Sequence, residues 1–168
     1  MIKTIDRNYL EIRSIEDLVE ASTPQLDCLI DLVKPSDFQL NKFFYKNVGK
    51  NHQWVDRLSW SENQWIEYSS NSKVETFILK VKNDLAGFFE LIHHPDLNEV
   101  EIAYLGLLKE YHYKKLGSHL VSNAIKKSFQ KNKINKVWAH TCTLDHKNAL
   151  KNYLARGMKI FKKETISI

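Results

Sequence analysis

The sequence changes from strand-like to helix-like periodicity between residues 74 and 130, and this change limits the folds open to the chain. Residues 74–82, 85–93 and 100–108 are rich in the β-branched and aromatic side chains that strands favour. Over 116–130 the apolar residues instead recur every three to four positions, as on one face of a helix. Three strands in succession before a helix predict a sheet that begins as an antiparallel meander.

Capping and turn residues predict the remaining elements. The helix signals are Ser36 or Asp37 before a helix over 38–48 that Gly49 ends, Ser61 with Gln64 before a helix to about Tyr68, and Asp145 before a last helix that Gly157 follows. The strand signals are 2–13, 136–143 and 158–168, with a polar, irregular stretch leading to Pro35 and Asn83-Asp84 as a hairpin turn. The order predicts a mixed sheet with helices packed on it, and it excludes a doubly wound parallel sheet.

Size and charge fit one globular domain that binds an anion. The chain has 168 residues and a formal charge of +5. This charge suits an anionic ligand or weak attraction to nucleic acid, but no nucleic-acid-binding motif accompanies it, so no specific nucleic-acid partner is expected. Two cysteines, a charged N-terminus and the lack of a membrane-length apolar run predict a cytoplasmic protein without a membrane partner.

A basic loop, residues 111–118, joins the third strand of the meander to the helix. In such a loop, backbone N–H groups and the positive end of the helix dipole can converge on a phosphate. Lys114 and Lys115 add positive charge, and Gly117 permits close approach. Ser118 can add a hydrogen bond. A solvated basic turn before an ordinary helix would have the same residues, so spacing alone leaves both interpretations open.

Glu101 is a carboxylate inside an otherwise apolar strand. Strict alternation puts Ala103, Leu105 and Leu107 on its face of the strand, which predicts a partly buried position. Burial would raise the pKa of the carboxyl and make Glu101 a better base near neutral pH. A strand-end carboxylate at the sheet edge is the other possibility.

Other residues carry weaker signals when taken alone. Tyr153 lies on the apolar face of the last helix, where an aromatic residue is more often part of the core than catalytic. The histidines near Cys142 lack the spacing of a metal-binding motif, so no metal is expected. Trp54, Trp60 and Trp65 can line an acceptor pocket, cover a sheet face, or do both.

Together these residues resemble the GNAT superfamily of acyl-CoA-dependent N-acyltransferases. That family has a strand followed by (Arg/Gln)-x-x-Gly-x-(Gly/Ala) at a helix start, and HYKKLG at 112–117 occupies this place. Its last helix often carries Asn and then Tyr four residues before a glycine, and NALKNYLARGM at 148–158 matches that pattern. The resemblance covers residues 74–163 well. The segments FFYKNVG, WVDRLSW and HTCTLDHKNALKNYLARG are also similar to those of a bacterial subgroup of the superfamily.

The resemblance implies a fold and a division of the chain. The implied class is α/β (α+β), with a mixed, mostly antiparallel twisted sheet and helices on both faces. A single domain over 1–168 is expected. Within it, 1–72 would supply the acceptor-side strand and helices, and 73–168 the acyl-CoA-binding core. A monomer or a homodimer is compatible with this expectation.

The resemblance also implies roles for individual residues. Acetyl-CoA would be the co-substrate, and the amine of a small molecule or peptide would attack its thioester directly in a ternary complex. Glu101 would be the general base, and Tyr153 would protonate the departing thiolate. The implied cofactor contacts are Leu105, Gly106, Leu107, His112, Tyr113, Lys114, Lys115, Leu116, Gly117, Ser118 and Asn148.

Three residues depart from the family pattern in the phosphate loop. His112 stands where Arg or Gln is usual, and Lys115 replaces the first motif glycine. Tyr113 stands where many members have another glycine. These departures motivate a second hypothesis, a catalytically degenerate acyl-CoA-binding or regulatory module.

Overall fold

A mixed β-sheet forms the centre of the computed structural model, which describes residues 2–112, 114–131 and 133–167. In these residues the seven strands are β1 (Thr4–Ile12), β2 (Cys28–Leu32), β3 (Val74–Val81), β4 (Asp84–His94), β5 (Glu99–Leu107), β6 (Lys136–Cys142) and β7 (Lys159–Ser167). The strand order is β2-β3-β4-β5-β6-β1-β7. Neighbouring strands are antiparallel except β5 and β6, which are parallel. The predicted mixed, mostly antiparallel sheet of the α/β (α+β) class is confirmed.

Helices cover both faces of this sheet, also as predicted. The α-helices of the described residues are α1 (Phe38–Gly49), α2 (Glu62–Ser70), α3 (Leu116–Ser128) and α4 (Ala149–Ala155). On one face, Phe44 and Val48 of α1 pack against Ile78 and Phe88 of the meander. The larger core lies on the other face, beneath α3. No helix in the described part of the chain has both the length and the apolar character needed to cross a membrane.

The predicted caps of the first two helices are confirmed. Asp37 Oδ1 accepts a hydrogen bond from the N–H of Gln39 at 3.0 Å. Ser61 and Gln64 form a capping box, in which each side chain accepts from the other residue's backbone N–H. These bonds satisfy N–H groups that have no partner within the helix.

Strand β2 lies in the stretch predicted to be irregular, so that prediction is wrong. It pairs with β3 from Cys28 opposite Val81 to Leu32 opposite Phe77. Leu29 and Leu32 are exposed, because β2 is the edge strand of the sheet. Backbone pairing with β3 therefore stabilises β2 more than the burial of β2 side chains does. Because backbone pairing does not depend on apolar side chains, the hydrophobic pattern of the sequence does not indicate this strand.

The hairpin turn between β3 and β4 lies one residue earlier than predicted. Lys82 and Asn83 are the two turn residues, with φ values of 50° and 73°. Two positive φ angles are the mark of a type I′ turn, whose twist matches that of the flanking strands. Asp84 begins β4 instead of completing the turn.

The first strand does not pair with β2, the strand that follows it in the chain. β1 is inserted between β6 and β7, with fully buried Leu10 opposite Ala139 on one side and Ile160 on the other. The following segment crosses the face that carries α3 and α4 before it reaches β2. There the N–H of Ala21 donates to Ser122 Oγ of α3 at 2.8 Å.

Candidate functional site

A cleft opens where the parallel strands β5 and β6 separate. The two strands, both fully described, pair only at Glu99–Lys136, Val100–Val137 and Glu101–Trp138. Beyond these pairs they diverge, and the second half of β5 has a free backbone edge. The cleft between them has a volume of about 330 Å³. An extended ligand can enter it and pair with β5 as an added strand would.

A β-bulge decides which side chains of β5 face each side of the sheet. Ala103 is an extra residue between two positions of β5 that pair with consecutive residues of β4. The bulge reverses the alternation, so Ile102 before it and Leu105 and Leu107 after it all pack on the core beneath α3. The prediction that Glu101 shares a face with Leu105 and Leu107 is therefore wrong. Strict alternation gives no sign of a bulge.

Glu101 lies beside the closed end of the cleft, where β5 and β6 still pair. Its Oε1 is 3.1 Å from Nε2 of His94, and its side chain is 19% exposed. It is not among the described residues that line the cleft. The carboxylate thus pairs with His94 and lies outside the lining of the cleft.

The free edge of β5 presents the backbone of Leu105 and Leu107 to the cleft. The N–H of Leu108 donates to the carbonyl of Ala86 in β4, and backbone directions alternate along a strand. Gly106 therefore also directs its peptide groups toward β4. Nε2 of His112 lies 3.2 Å from the carbonyl oxygen of Leu107, which confirms that this oxygen points away from β4.

The N-terminus of α3 meets the cleft with backbone donors that no side chain caps. Lys115 precedes the helix with φ of 59° and makes no side-chain cap hydrogen bond. Its left-handed conformation is the one that glycine adopts most readily, and Lys115 stands at the position of a motif glycine. Ser118 Oγ donates back to the carbonyl of Lys115 at 3.1 Å. The open N–H groups and the helix dipole together suit a phosphate.

Most of the predicted site residues line this one cleft. They are Leu105, Gly106, Leu107, His112, Lys115, Gly117, Ser118, Asn148 and Tyr153. Lys114 is exposed and does not line it. The side chain of Leu116 is fully buried in the main core, so only its backbone is available to a ligand. Tyr113 lies outside the described residues.

Tyr153 is held in the cleft by α4 and is 8% exposed. Burial raises the pKa of its hydroxyl well above the usual value, and the nearby charge of Asp145 raises it further. The phenol therefore stays protonated at neutral pH and is able to donate a proton or a hydrogen bond.

Asp145 has a different role from the predicted helix cap. Asn148, not Asp145, precedes α4. The Oδ2 of Asp145 accepts hydrogen bonds from Thr141 Oγ1 at 2.7 Å and from the N–H of Cys142 at 2.9 Å. Its Oδ1 accepts from Nε1 of Trp54 at 3.3 Å. These bonds hold a carboxylate in the wall of the cleft and tie the loop after β6 to the segment after α1.

Besides His112, which the resemblance assigned to the cofactor, His52, His140 and His146 line the cleft. The ring centroid of His146 lies 5.1 Å from that of His112 and 6.2 Å from that of His52. His140 stands on β6 just beyond the last pair with β5. Burial lowers the pKa of both His140 and His146 below the usual value, so both are largely neutral at neutral pH. In the described residues, no group of three or more His, Cys, Asp or Glu side chains is arranged to hold a metal ion.

The three tryptophans near α1 divide between the two roles left open by the sequence. Trp54 lines the cleft, where its ring packs edge-on against Tyr104 at 4.8 Å. Trp60 and Trp65 instead pack around the guanidinium of Arg57. Thus Trp54 is part of the cleft lining, whereas Trp60 and Trp65 contact a residue outside it.

Arg57 and Glu90 form a buried ion pair beneath the α1 side of the cleft. Arg57 Nη1 is 2.9 Å from Glu90 Oε1, and their side chains are 7% and 0% exposed. The Cζ of Arg57 lies 4.1 Å from the ring centroid of Tyr68 and 4.3 Å from that of Tyr104. Burial alone would lower the pKa of Arg57, but Glu90 and Tyr68 outweigh it and raise that pKa. The network fixes Tyr104, which lines the cleft.

Comparisons with known proteins identify the family to which the chain belongs. A model of the Acetyltransferase (GNAT) family matches residues 38–158, which include most of the cleft. Among curated proteins, none matches the chain.

Solved structures of low sequence identity have a similar fold. A conserved protein of unknown function from Staphylococcus epidermidis has a TM-score of 0.67 at 18% identity, over 98% of this chain and 61% of its own. A GCN5-related N-acetyltransferase from Sphaerobacter thermophilus has a TM-score of 0.74 at 10% identity, over 99% and 52%. An aminoglycoside acetyltransferase from an uncultured soil sample has a TM-score of 0.62 at 12% identity, over 77% and 87%. The chain thus spans only 61% and 52% of the first two proteins.

The diverging parallel strands, the uncapped helix after β5 and the family match over most of the chain agree with one another. The chain belongs to the GNAT acetyltransferase family.

Proposed function

We propose that the protein is a cytoplasmic N-acetyltransferase that transfers the acetyl group of acetyl-CoA to a primary amine. One observation carries the proposal: the free edge of β5, the uncapped N-terminus of α3 and the protonated Tyr153 all meet in a single cleft. These three groups would match, respectively, the amide-containing pantetheine arm, the pyrophosphate and the leaving thiolate of acetyl-CoA.

The residues present fit acetyl-CoA as a co-substrate. The backbone of Leu105 and Leu107 would pair with the amides of the pantetheine arm. The N–H groups at the start of α3 would hold the pyrophosphate, with Lys115 adding positive charge. The chemistry that acetyl-CoA supplies is an activated thioester.

Tyr153 and the carboxylates would manage the protons of the reaction. Tyr153 would donate its phenolic proton to the thiolate as it leaves, since its raised pKa keeps it protonated beforehand. Glu101 would accept the proton lost by the amine, and water would connect it to the cleft because it does not line the wall. His140, which stands closer to the cleft and is neutral, is a second candidate for this base.

The first experiment measures acetyl-CoA binding by calorimetry and thiol release with a panel of primary amines. Replacing Tyr153 by Phe should slow thiol release about 100-fold or more, because a general acid contributes about that much, and should leave acetyl-CoA affinity nearly unchanged. Tyr111→Phe is the control, since Tyr111 does not line the cleft. An unchanged rate in Tyr153→Phe would remove Tyr153 from the mechanism.

A second candidate function is acyl-CoA binding without turnover. It is favoured by the position of Glu101, the expected general base, which pairs with His94 and does not line the cleft. Binding of acetyl-CoA without thiol release across the whole amine panel would support it. Turnover with any amine would rule it out.

A further inference from the structure

The wall of the cleft on the α1 side carries a fixed carboxylate. This wall is formed by Trp54, Tyr104, His140 and Asp145. The rings of Trp54 and Tyr104 pack against each other on the α1 side of the sheet. The hydrogen bond from Trp54 Nε1 to Asp145 Oδ1 connects them to the loop after β6. Tyr153, the proposed proton donor to the thiolate, lines the same cleft, and the charge of Asp145 raises the pKa of the Tyr153 hydroxyl. Asp145 therefore lies in the same cleft as Tyr153, where the amine would attack the thioester.

Asp145 retains the capacity for one more donor. A carboxylate can accept about four hydrogen bonds, and the described residues supply three, from Thr141, Cys142 and Trp54. Oδ2 takes two of these bonds and Oδ1 takes one. Because Asp145 is only partly buried, the remaining acceptor site on Oδ1 can face a ligand in the cleft.

Fixed charges on this wall favour cations over anions. Among the described residues that line the cleft, Lys115 is the only Lys or Arg, and it belongs to the phosphate end at α3. Arg7, whose charge reaches His140, does not line the cleft and pairs with Glu164. An ammonium group entering along this wall meets a carboxylate. A carboxylate attached next to that ammonium would meet neither lysine nor arginine there.

We propose that Asp145 binds the ammonium group of the acceptor, and that the acceptor is a cationic amine with no carboxylate on the adjacent carbon. The bound ammonium would give one proton to the base before it attacks the thioester, and the second proton, lost on forming the amide, would replace the one that Tyr153 gives to the thiolate. This inference rests on the proposed function and names its substrate class. The aromatic rings of Trp54 and Tyr104 suit the apolar part of such an amine, and the ring of Trp54 also favours the cation.

The test compares amines with the amino acids that differ from them by one carboxylate. Acetyl transfer is measured for phenethylamine against phenylalanine, tyramine against tyrosine, and histamine against histidine. In the wild-type protein, kcat/KM for the amine should exceed that for its amino acid by about tenfold or more, since an unpaired carboxylate must be desolvated without a partner.

Two variants then test Asp145 itself. Asp145→Asn should raise the KM of the amine about tenfold to a hundredfold, the value of a charged hydrogen bond, and leave acetyl-CoA affinity unchanged. Asp145→Glu keeps the charge and should keep the preference for the amine over the amino acid. If Asp145→Asn does not fold, Asp145→Glu still tests whether the negative charge at this position sets the preference for the amine.

The outcomes separate this inference from the proposed function. Equal or better use of the amino acids, or an amine KM unchanged in Asp145→Asn, would overturn the assignment of Asp145. Acetyl-CoA binding with no acetylation of any member of the three pairs would also overturn it, while leaving the cofactor site intact. Failure to bind acetyl-CoA would instead overturn the proposed function.

Discussion

At the start of α3, Lys115 has the left-handed backbone that glycine adopts at no steric cost, with φ of 59°. A residue with a Cβ is strained in this conformation by roughly 1 kcal/mol. Replacing Lys115 by Gly removes this strain, whereas replacing it by Ala keeps it. We expect Lys115→Gly to be more stable than Lys115→Ala by about 1 kcal/mol, as measured by urea denaturation.

The same pair of variants separates charge from conformation in acetyl-CoA binding. Both variants lose the lysine charge, so a loss of affinity common to both reports that charge. A difference between them reports the backbone conformation of the loop. If Lys115→Ala were as stable as Lys115→Gly, the left-handed conformation would be refuted.

The buried ion pair of Arg57 and Glu90 gives a second prediction for single residues. Replacing Arg57 by Met leaves the fully buried carboxylate of Glu90 without its cation, although Asn41 and Tyr68 still donate to it. We expect a loss of about 3–5 kcal/mol in the free energy of unfolding.

The double variant Arg57→Met/Glu90→Gln is the matched control for this prediction. Gln removes the negative charge and keeps the size and shape of the side chain, with an NH2 group in place of one carboxylate oxygen. The double variant should therefore be more stable than Arg57→Met alone in chemical denaturation. A double variant that is less stable than the single would contradict the account of a stranded charge.

At this scale, sequence reasoning located residues but not their surroundings. The resemblance points to Tyr153 through its spacing to Gly157, because α4 and the turn after it are local in the sequence. Asp145 was assigned to the wrong role because its partners Thr141 and Trp54 come from different elements. Trp54 is distant in sequence, and no local pattern indicates that it reaches Asp145.

Among the elements, α1 and β5 approach each other closely because residue 106 is a glycine. A Cβ on Gly106 would lie 2.4 Å from Cγ1 of Val48, closer than real carbon atoms approach. We expect Gly106→Ala to push α1 away from the sheet and to destabilise the fold by about 1–3 kcal/mol.

A second substitution in α1 tests whether this contact is the cause. In the double variant Gly106→Ala/Val48→Ala, the space left by the valine accepts the new methyl group. The loss of unfolding free energy in the double variant should therefore be smaller than the sum of the losses in the two single variants. Gly117→Ala is a control, since a Cβ there meets its nearest neighbour at an ordinary 3.6 Å. Strict additivity in urea denaturation would show that Val48 is not the obstacle.

Regular periodicity predicted the elements that bury a full face and missed those that do not. The helix α3 and the strands β3, β4 and β5 have strong patterns because their side chains fill the core. The edge strand β2 and the bulge at Ala103 depend on pairing with a neighbouring strand, which the sequence does not display. The bulge matters most, because it turns Glu101 away from the face of Leu105.

For the molecule as a whole, three histidines make stability depend on pH. The pKa values of His119, His140 and His146 are all lowered, in each case chiefly by burial. In the unfolded chain the same imidazoles take up protons near about pH 6.5. As the pH falls through this value, the unfolded state binds protons that the folded state does not, so stability is lost.

We therefore expect a lower free energy of unfolding at about pH 5.5 than at about pH 7.5, measured by urea denaturation. His119→Gln should reduce this difference, because glutamine does not titrate and His119 lies in α3, in a region outside the cleft lining. Stability that rises on acidification over this range would contradict the lowered pKa values.

The position of β1 has a consequence for how the chain is made. This strand is synthesised before the other described strands, yet its partners β6 and β7 are the last two of them. Until then its apolar residues Leu10 and Ile12 have no sheet to join. Thr4 pairs with Ser167, so a short linker could connect the two ends of the described chain. In a circular permutant opened between β1 and β2, the strand β1 would be synthesised after its partners β6 and β7. We expect this permutant to aggregate less during synthesis than the chain in its original order.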